Sequence, residues 1–423
     1  MKLLVFAHVP PPYHGQSYMV QLMLNGFGGD RRRRKHEALN PFGVECYHIN
    51  ARFSRGLEDI GALQSIKLAR LFLHCLEAIW CRFRHGVENF YYVPAPGKRV
   101  ALYRDWLVML ICRPFFKKVI LHWHAAGLAK WLETSVQIQT RAITYRLFNP
   151  VDLSVVLSQY NFADAEKLLS HHICVVNNGI PDPCRDFAQS ILPRRRARFA
   201  ARAKLFAGEE LHPREIEIAG GDPQLVRVLF LAHCTREKGL FATMAAVVAA
   251  NRELAARRVP VRMKLCAAGN FVTAAERVEF ERQMKIPEFA EAVAYLGFVS
   301  GEEKRTTLCK ADLFCFPTCY IGENQPVNLI EAMAFGLPIV TTRWRSLPEM
   351  LPANSPGLVA NQSPDEIATA LLAVLMHETG ENLRKNFLSQ FTLEHHLTDL
   401  AEAICSVESL KPKPSAKPAL ETS

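Results

Sequence analysis

The chain has 423 residues, 49% hydrophobic and 22% charged, which is enough to fill the cores of two domains of ordinary size. Its net charge of +10 is unevenly placed: residues 1–185 hold 23 Lys and Arg against 13 Asp and Glu, and the remainder is balanced. No stretch approaches 18 uncharged apolar residues, which argues against a spanning helix. The twelve cysteines include no Cys-x-x-Cys pair, which argues against a zinc site or a disulfide framework and for reduced thiols used as small core residues in a cytosol.

The first apolar run, 3–7, stops at His8 and Pro10. It is too short for the hydrophobic part of a signal peptide and reads as a buried strand. Next comes Pro10-Pro11-Pro12-Tyr13-His14-Gly15-Gln16-Ser17, where Gly15 lacks a Cβ and lets a ligand approach the backbone. Further strands are expected at 45–49, 90–93, 119–122, 153–157 and 173–176, with helices at 16–24, 63–84, 100–111 and 139–148. This alternation points to a parallel sheet with crossover helices. A break at Pro181-Asp182-Pro183 closes a first domain, 1–183. Residues 184–224 read as linker and insertion, partly helical. Their run Arg194-Arg195-Arg196-Ala197-Arg198, like the run from Arg31 to Lys35, reads as a solvated face. A second alternating set fills a domain at 225–390. Its strands are expected at 226–232, 263–267, 294–296, 313–316 and 339–341, and its helices at 240–257, 287–292, 300–310 and 363–377. A closing helix is expected within 391–409. The tail 410–423, rich in Lys and Pro, reads as disordered.

The richest stretch is 322–349, GENQPVNLIEAMAFGLPIVTTRWRSLPE. Glu323 and Glu331 are separated by seven residues. Between them a loop enters an apolar helix, which Gly336 and Pro338 stop. A helix N-terminus offers backbone N–H groups without intrahelical partners and favours an anion such as a diphosphate. The two carboxylates would repel that anion and accept neutral hydroxyls instead. Phosphate on amides and hydroxyls on two acids together describe a nucleotide-sugar.

This stretch resembles the donor-site signature of the retaining glycosyltransferases of family four, which share the GT-B fold: two Rossmann-like βα domains facing each other across a cleft. The resemblance implies that Glu323 contacts the donor sugar and Glu331 the ribose hydroxyls. The backbone of Asn324, Gln325, Pro326, Val327 and Asn328 would take the diphosphate. It covers about residues 1–390, specifically in 226–350 and loosely in 1–185. Phe230-Leu231-Ala232-His233-Cys234-Thr235-Arg236-Glu237-Lys238-Gly239 is similar to the family's strand, loop and Lys-Gly. Lys238 thereby takes the role of neutralising the leaving diphosphate. The usual arginine position holds Ala232 or His233, and Arg236 lies nearby in another register. Leu121-His122-Trp123-His124 matches a strand ending in a histidine that faces the donor sugar. His124 is the better positional match, and His122 shares its strand face. Gly15 falls in the loop against the diphosphate and Gly269 in a turn facing the nucleotide. Arg104, within Tyr103-Arg104-Asp105, falls on the acceptor side together with His122.

The implied function is sugar transfer from a nucleoside-diphosphate sugar to a surface-polysaccharide, lipopolysaccharide or lipid-linked acceptor. Retention would proceed without an enzyme nucleophile, the leaving phosphate assisting the acceptor hydroxyl. No cofactor and no metal are expected, since no Asp-x-Asp is present. The implied setting is cytoplasmic, peripheral at the inner face of the plasma membrane. The basic first half fits an anionic membrane or a lipid-diphosphate acceptor. It carries no recognition signature for nucleic acid. Two rivals stand beside this reading. The absent arginine favours a non-catalytic nucleotide-sugar-binding scaffold, and the shared fold leaves room for a nucleotide-sugar epimerase.

Overall fold

The structure, a computed structural model, describes residues 1–11, 13–33, 40–52, 65–377 and 380–409. The expected tail at 410–423 and the residues Arg34 and Lys35 of the first basic run lie outside them.

Two compact units form. One comprises residues 1–176 together with the chain from Leu397 onward, and the other comprises Asn177–His396. In the first unit β1 (Lys2–Ala7), β2 (Glu45–Asn50), β3 (Asn89–Tyr92), β4 (Lys118–Trp123), β5 (Val151–Val156) and β6 (Ser170–Val175) make one sheet in the order β2-β1-β3-β4-β5-β6. Every pairing is parallel. Parallel strands covered on both faces lose the polar alternation of half-exposed ones, and β1 is accordingly buried from Leu3 to Ala7. Phe6, Phe90, Tyr92, Phe116, Trp123 and Phe148 fill the core around this sheet.

In the second unit β7 (Leu225–Leu231), β8 (Arg262–Ala268), β9 (Val293–Gly297), β10 (Leu313–Phe316), β11 (Ile339–Thr342) and β12 (Leu358–Val359) form a second sheet in the order β12-β11-β10-β7-β8-β9. It too is parallel throughout. The chain thus forms two Rossmann-like α/β units, each built on one parallel sheet. The last helix, Leu393–Ser406, carries the chain back into the first unit, where the Leu397 side chain packs against Gly26.

The stretch 184–224 corrects the expectation of a solvated basic face. It forms helices at Leu192–Phe206 and Pro213–Ile218 within the second unit. Arg195, Arg198 and Arg202 recur at helical spacing and are buried. Arg198 and Arg202 bracket the buried Asp312 at 2.7 and 2.8 Å, while Arg195 donates to the carbonyls of Phe335 and Gly336. A guanidinium can be buried when its fork of donors is satisfied, and carbonyls and a carboxylate satisfy it here. Only Arg196 of this run turns outward, to Glu381 at 2.7 Å.

Candidate active site

The second unit gathers its candidate residues at the C-terminal ends of β7, β8 and β10, the edge at which open parallel sheets bind ligands. The chain leaves β7 through Ala232 and His233 and enters helix Leu240–Ala256 at Gly239, which adopts a left-handed φ of 93°. A Cβ there would lie 2.6 Å from the Pro317 carbonyl oxygen, so glycine alone lets the helix start against the loop after β10. Gly269 ends β8 under a similar constraint, with φ 149° and the Ala232 oxygen 1.8 Å from where a Cβ would sit. The loop that carries Lys238 is thus pressed against the loops that follow β8 and β10.

The Lys238 ammonium donates to Glu323 Oε2 at 2.6 Å, and Thr318 Oγ1 donates to the same oxygen at 2.9 Å. Side-chain exposure of Lys238 and Glu323 is 18% and 8%. The Tyr320 ring lies 4.5 Å from Nζ, and burial and then Glu323 push the Tyr320 phenol above its ordinary value. This small, half-buried site therefore holds an ammonium, a carboxylate, a hydroxyl and an aromatic face. His233 stands beside it. Burial and then the Lys238 cation depress its pKa and favour the neutral imidazole; His233 is one of the two positions, with Ala232, where the resemblance implies an arginine.

Helix Val327–Ala334 follows, capped by Pro326. Asn328 Nδ2 donates to the Leu231 carbonyl at 2.7 Å and ties the helix start to the end of β7. Gln325 is held from both ends: its Oε1 accepts from Asn178 N and its Nε2 donates to Asn177 Oδ1, each at 2.8 Å. Ser346 fixes the Asn324 carbonyl at 2.5 Å. Glu331, in the second turn of the helix, accepts from Lys304 Nζ at 2.5 Å. Arg236 is not drawn into this cluster; its exposed guanidinium stacks over Phe241 at 4.9 Å.

In the first unit His122 is buried near the end of β4, its Nδ1 2.5 Å from the Tyr91 hydroxyl. The His124 ring packs on it with centroids 4.2 Å apart. The loop that carries His124 is pinned by Asp164, which accepts from Gly127 N and Ala129 N at 2.8 and 2.7 Å. Gly15 opens helix Gly15–Gly26, whose cap is the His14 side chain. His14 and His8 approach at 2.7 Å through their Nε2 atoms. Arg104 pairs with Asp105 at 2.8 Å, and Asp105 also accepts from the Tyr92 hydroxyl and Ala95 N.

Sequence reasoning left out Thr318, Tyr320 and Lys304 as members of the cluster, and the His8–His14 pair. Thr318 and Tyr320 stand five and three residues before Glu323 and were within reach of a local reading. Lys304 lies on the separate helix Gly301–Lys310, and no spacing links it to Glu331.

Residues 226–377 match the family model described as Glycosyl transferases group 1. The chain is 33% identical over 106 residues to the amylovoran biosynthesis glycosyltransferase AmsK of Erwinia amylovora, covering 23% of this chain and 25% of that protein. It is 28% identical over 169 residues to the putative colanic acid biosynthesis glycosyltransferase WcaL of Salmonella typhimurium, covering 37% and 38%. These matches thus span about a quarter to two-fifths of the relatives' own length. Among solved structures, Anabaena HepE in complex with UDP superposes with a TM-score of 0.60 at 14% identity, over 96% of this chain and 100% of that one. The molecule has the GT-B fold of glycosyltransferases, and its residues 226–377 carry a domain similar to the glycosyl transferases of group 1.

Proposed function

We propose that the protein is a retaining glycosyltransferase of family four. It would move a sugar from a nucleoside-diphosphate sugar to a hydroxyl of a surface-polysaccharide, lipopolysaccharide or lipid-linked acceptor. The observation that carries this reading is the Lys238–Glu323 pair at 2.6 Å, set one loop ahead of helix Val327–Ala334 with Glu331 in its second turn. A leaving diphosphate gains negative charge as the anomeric carbon–oxygen bond breaks. The Lys238 ammonium and the first amides of the helix would stabilise that charge. Glu323 would then accept from a sugar hydroxyl, and Glu331 would exchange Lys304 for the ribose hydroxyls. The acceptor oxygen would attack the face the diphosphate leaves, its proton passing to a departing phosphate oxygen. His124 would line the sugar, and no metal would be required. The expected setting is the cytoplasmic face of a membrane. Two named relatives in polysaccharide biosynthesis and a UDP complex of the same fold support this reading.

A thermal-shift series with UDP, GDP, ADP and their sugar conjugates tests the site first. One nucleotide should raise the melting temperature by mass action, and Glu331→Ala should lose that response. With the cognate donor and acceptor, Lys238→Ala and Glu323→Ala should each lower turnover by about 100-fold or more. Wild-type turnover in both variants would sink the residue assignment. Inverted configuration in the product would remove the retaining mechanism. Donor binding without transfer would favour the scaffold, and conversion of the donor without acceptor the epimerase.

A further inference from the structure

Helix Ser65–His85 has one apolar face too many. Leu71, Cys75, Ala78 and Cys81 point inward and are buried in the core of the first unit. The opposite face of a surface helix is ordinarily polar. Here it presents Leu68, Phe72, Leu73, Leu76, Trp80 and Phe83, all exposed, with Phe83 at 68%, Leu73 at 62% and Trp80 at 57%. At ~100° per residue these six fall within an arc of roughly 140°, a continuous stripe along nearly the whole helix. Phe115, from the next layer, extends it edge-on against Phe83 at 6.1 Å and is itself exposed. Isolated exposed apolar residues are ordinary, but a contiguous stripe with two aromatic side chains at one end marks an interaction surface.

We propose that this face lies on an anionic lipid bilayer, with the helix in the plane of the interface. Charge selects that occupant. Arg84 is exposed beside Phe83, and the partly exposed Arg70 borders the stripe near its start. The nearby acids are already matched: Glu77 by Arg32 at 2.8 Å, and Glu88 by Lys117 at 2.7 Å and Arg82 at 3.1 Å. The stripe belongs to the half of the chain that carries the whole excess of +10. Two copies joined through this face would bring like charges together, whereas an anionic leaflet attracts them. Trp and Phe on one face with Arg at its margins are the chemistry of a helix buried part-way into the headgroup region. No described helix is long and apolar enough to cross a membrane, so the contact is superficial. The proposal rests on the outward face alone and does not need the transferase reading.

Vesicle flotation of the full chain, without nucleotide or acceptor, tests it. The wild type should float with vesicles of phosphatidylcholine containing 30% phosphatidylglycerol and stay behind with phosphatidylcholine alone. Phe72→Glu/Trp80→Glu should weaken binding by at least about tenfold, and Arg84→Ala by about fivefold. Trp80→Ser/Phe83→Ser provides a milder pair with the same expected loss. Unchanged circular dichroism and melting temperature in these variants would separate lost docking from lost folding. Equal flotation of wild type and both double variants, or no flotation of the wild type with anionic vesicles, would overturn the proposal. So would light scattering that finds a lipid-free wild-type dimer made monomeric by Phe72→Glu/Trp80→Glu, since the face would then join two copies of the chain.

Discussion

At the scale of single residues, the His8–His14 contact fixes both the tautomers and a pH dependence. Ser17 N donates to His14 Nδ1, so that nitrogen carries no proton. A neutral His14 therefore donates from Nε2, His8 accepts on its Nε2, and His8 keeps its own proton on Nδ1. Protonating His8 would destroy its acceptor and place a second cation beside Arg104. Burial first, then His14 and Arg104, push its pKa from 6.5 down to about 4. The sign follows directly. Between about pH 6.5 and 4 the unfolded chain takes up a proton at His8 and the folded chain does not, so stability falls as the pH is lowered through that window. At most about 3 kcal/mol is at stake. Urea unfolding of wild type and His8→Gln at pH 7.5, 5.5 and 4.5 checks this. The gap between the two should shift in favour of the variant as the pH falls. A pH-independent gap would show that His8 is not held neutral.

At the scale of elements, helix Leu192–Phe206 is fastened to its unit by charge as well as by packing. Burial alone would raise the Asp312 carboxyl, but Arg202, Arg198 and the Arg227 N–H hold it below the usual carboxylate range. Asp312→Ala leaves two buried guanidiniums uncompensated and should cost about 3–5 kcal/mol. Calorimetry should then find the transition of the second unit lowered by roughly 10 °C. Replacing Asp312, Arg198 and Arg202 together by apolar residues of similar volume should recover most of that loss, because no orphaned charge remains. A single variant as stable as wild type would mean that water reaches the cluster. The same helix marks where sequence reading stops. Arginines at 195, 198 and 202 look solvated by composition, and the aspartate that satisfies two of them lies more than a hundred positions away. The strands were legible because burial on both faces writes them as apolar runs between Gly and Pro. Glu323 and Glu331 were legible because a loop, a helix and a Gly-x-Pro stop sit in one unbroken stretch. Lys304 was not, since it reaches Glu331 from another helix. The outer stripe of helix Ser65–His85 was overlooked for a related reason. Helical periodicity identifies an apolar residue but does not say which of two apolar faces the core will take.

At the scale of the whole molecule, the twelve cysteines test whether the two cores are as closed as their packing implies. All twelve are free; seven are buried and five partly exposed, and they are spread through both units. Thiol reagents attack the thiolate, so accessibility and pKa act in the same direction. Burial pushes Cys46 and Cys315 up to about 12, far from ionisation at pH 8. Cys184 and Cys234 are held at about 12, by burial first and neighbouring carboxylates second. The partly exposed Cys174, Cys266, Cys309, Cys319 and Cys405 are also raised above the ordinary value by burial, though by less. Native protein treated with an aromatic disulfide at pH 8 should therefore release at most five equivalents, slowly, against twelve in denaturant. The remaining seven should react only as fast as the cores open, so their rate reports unfolding rather than thiol chemistry. If that rate is independent of reagent concentration, opening limits the reaction and the cores are closed. If Cys46 or Cys315, the two buried thiols that lie on strands, reacts rapidly in the native protein, its sheet is not covered on both faces. The reading of its apolar strands as doubly buried would then fail along with the fold that rests on it.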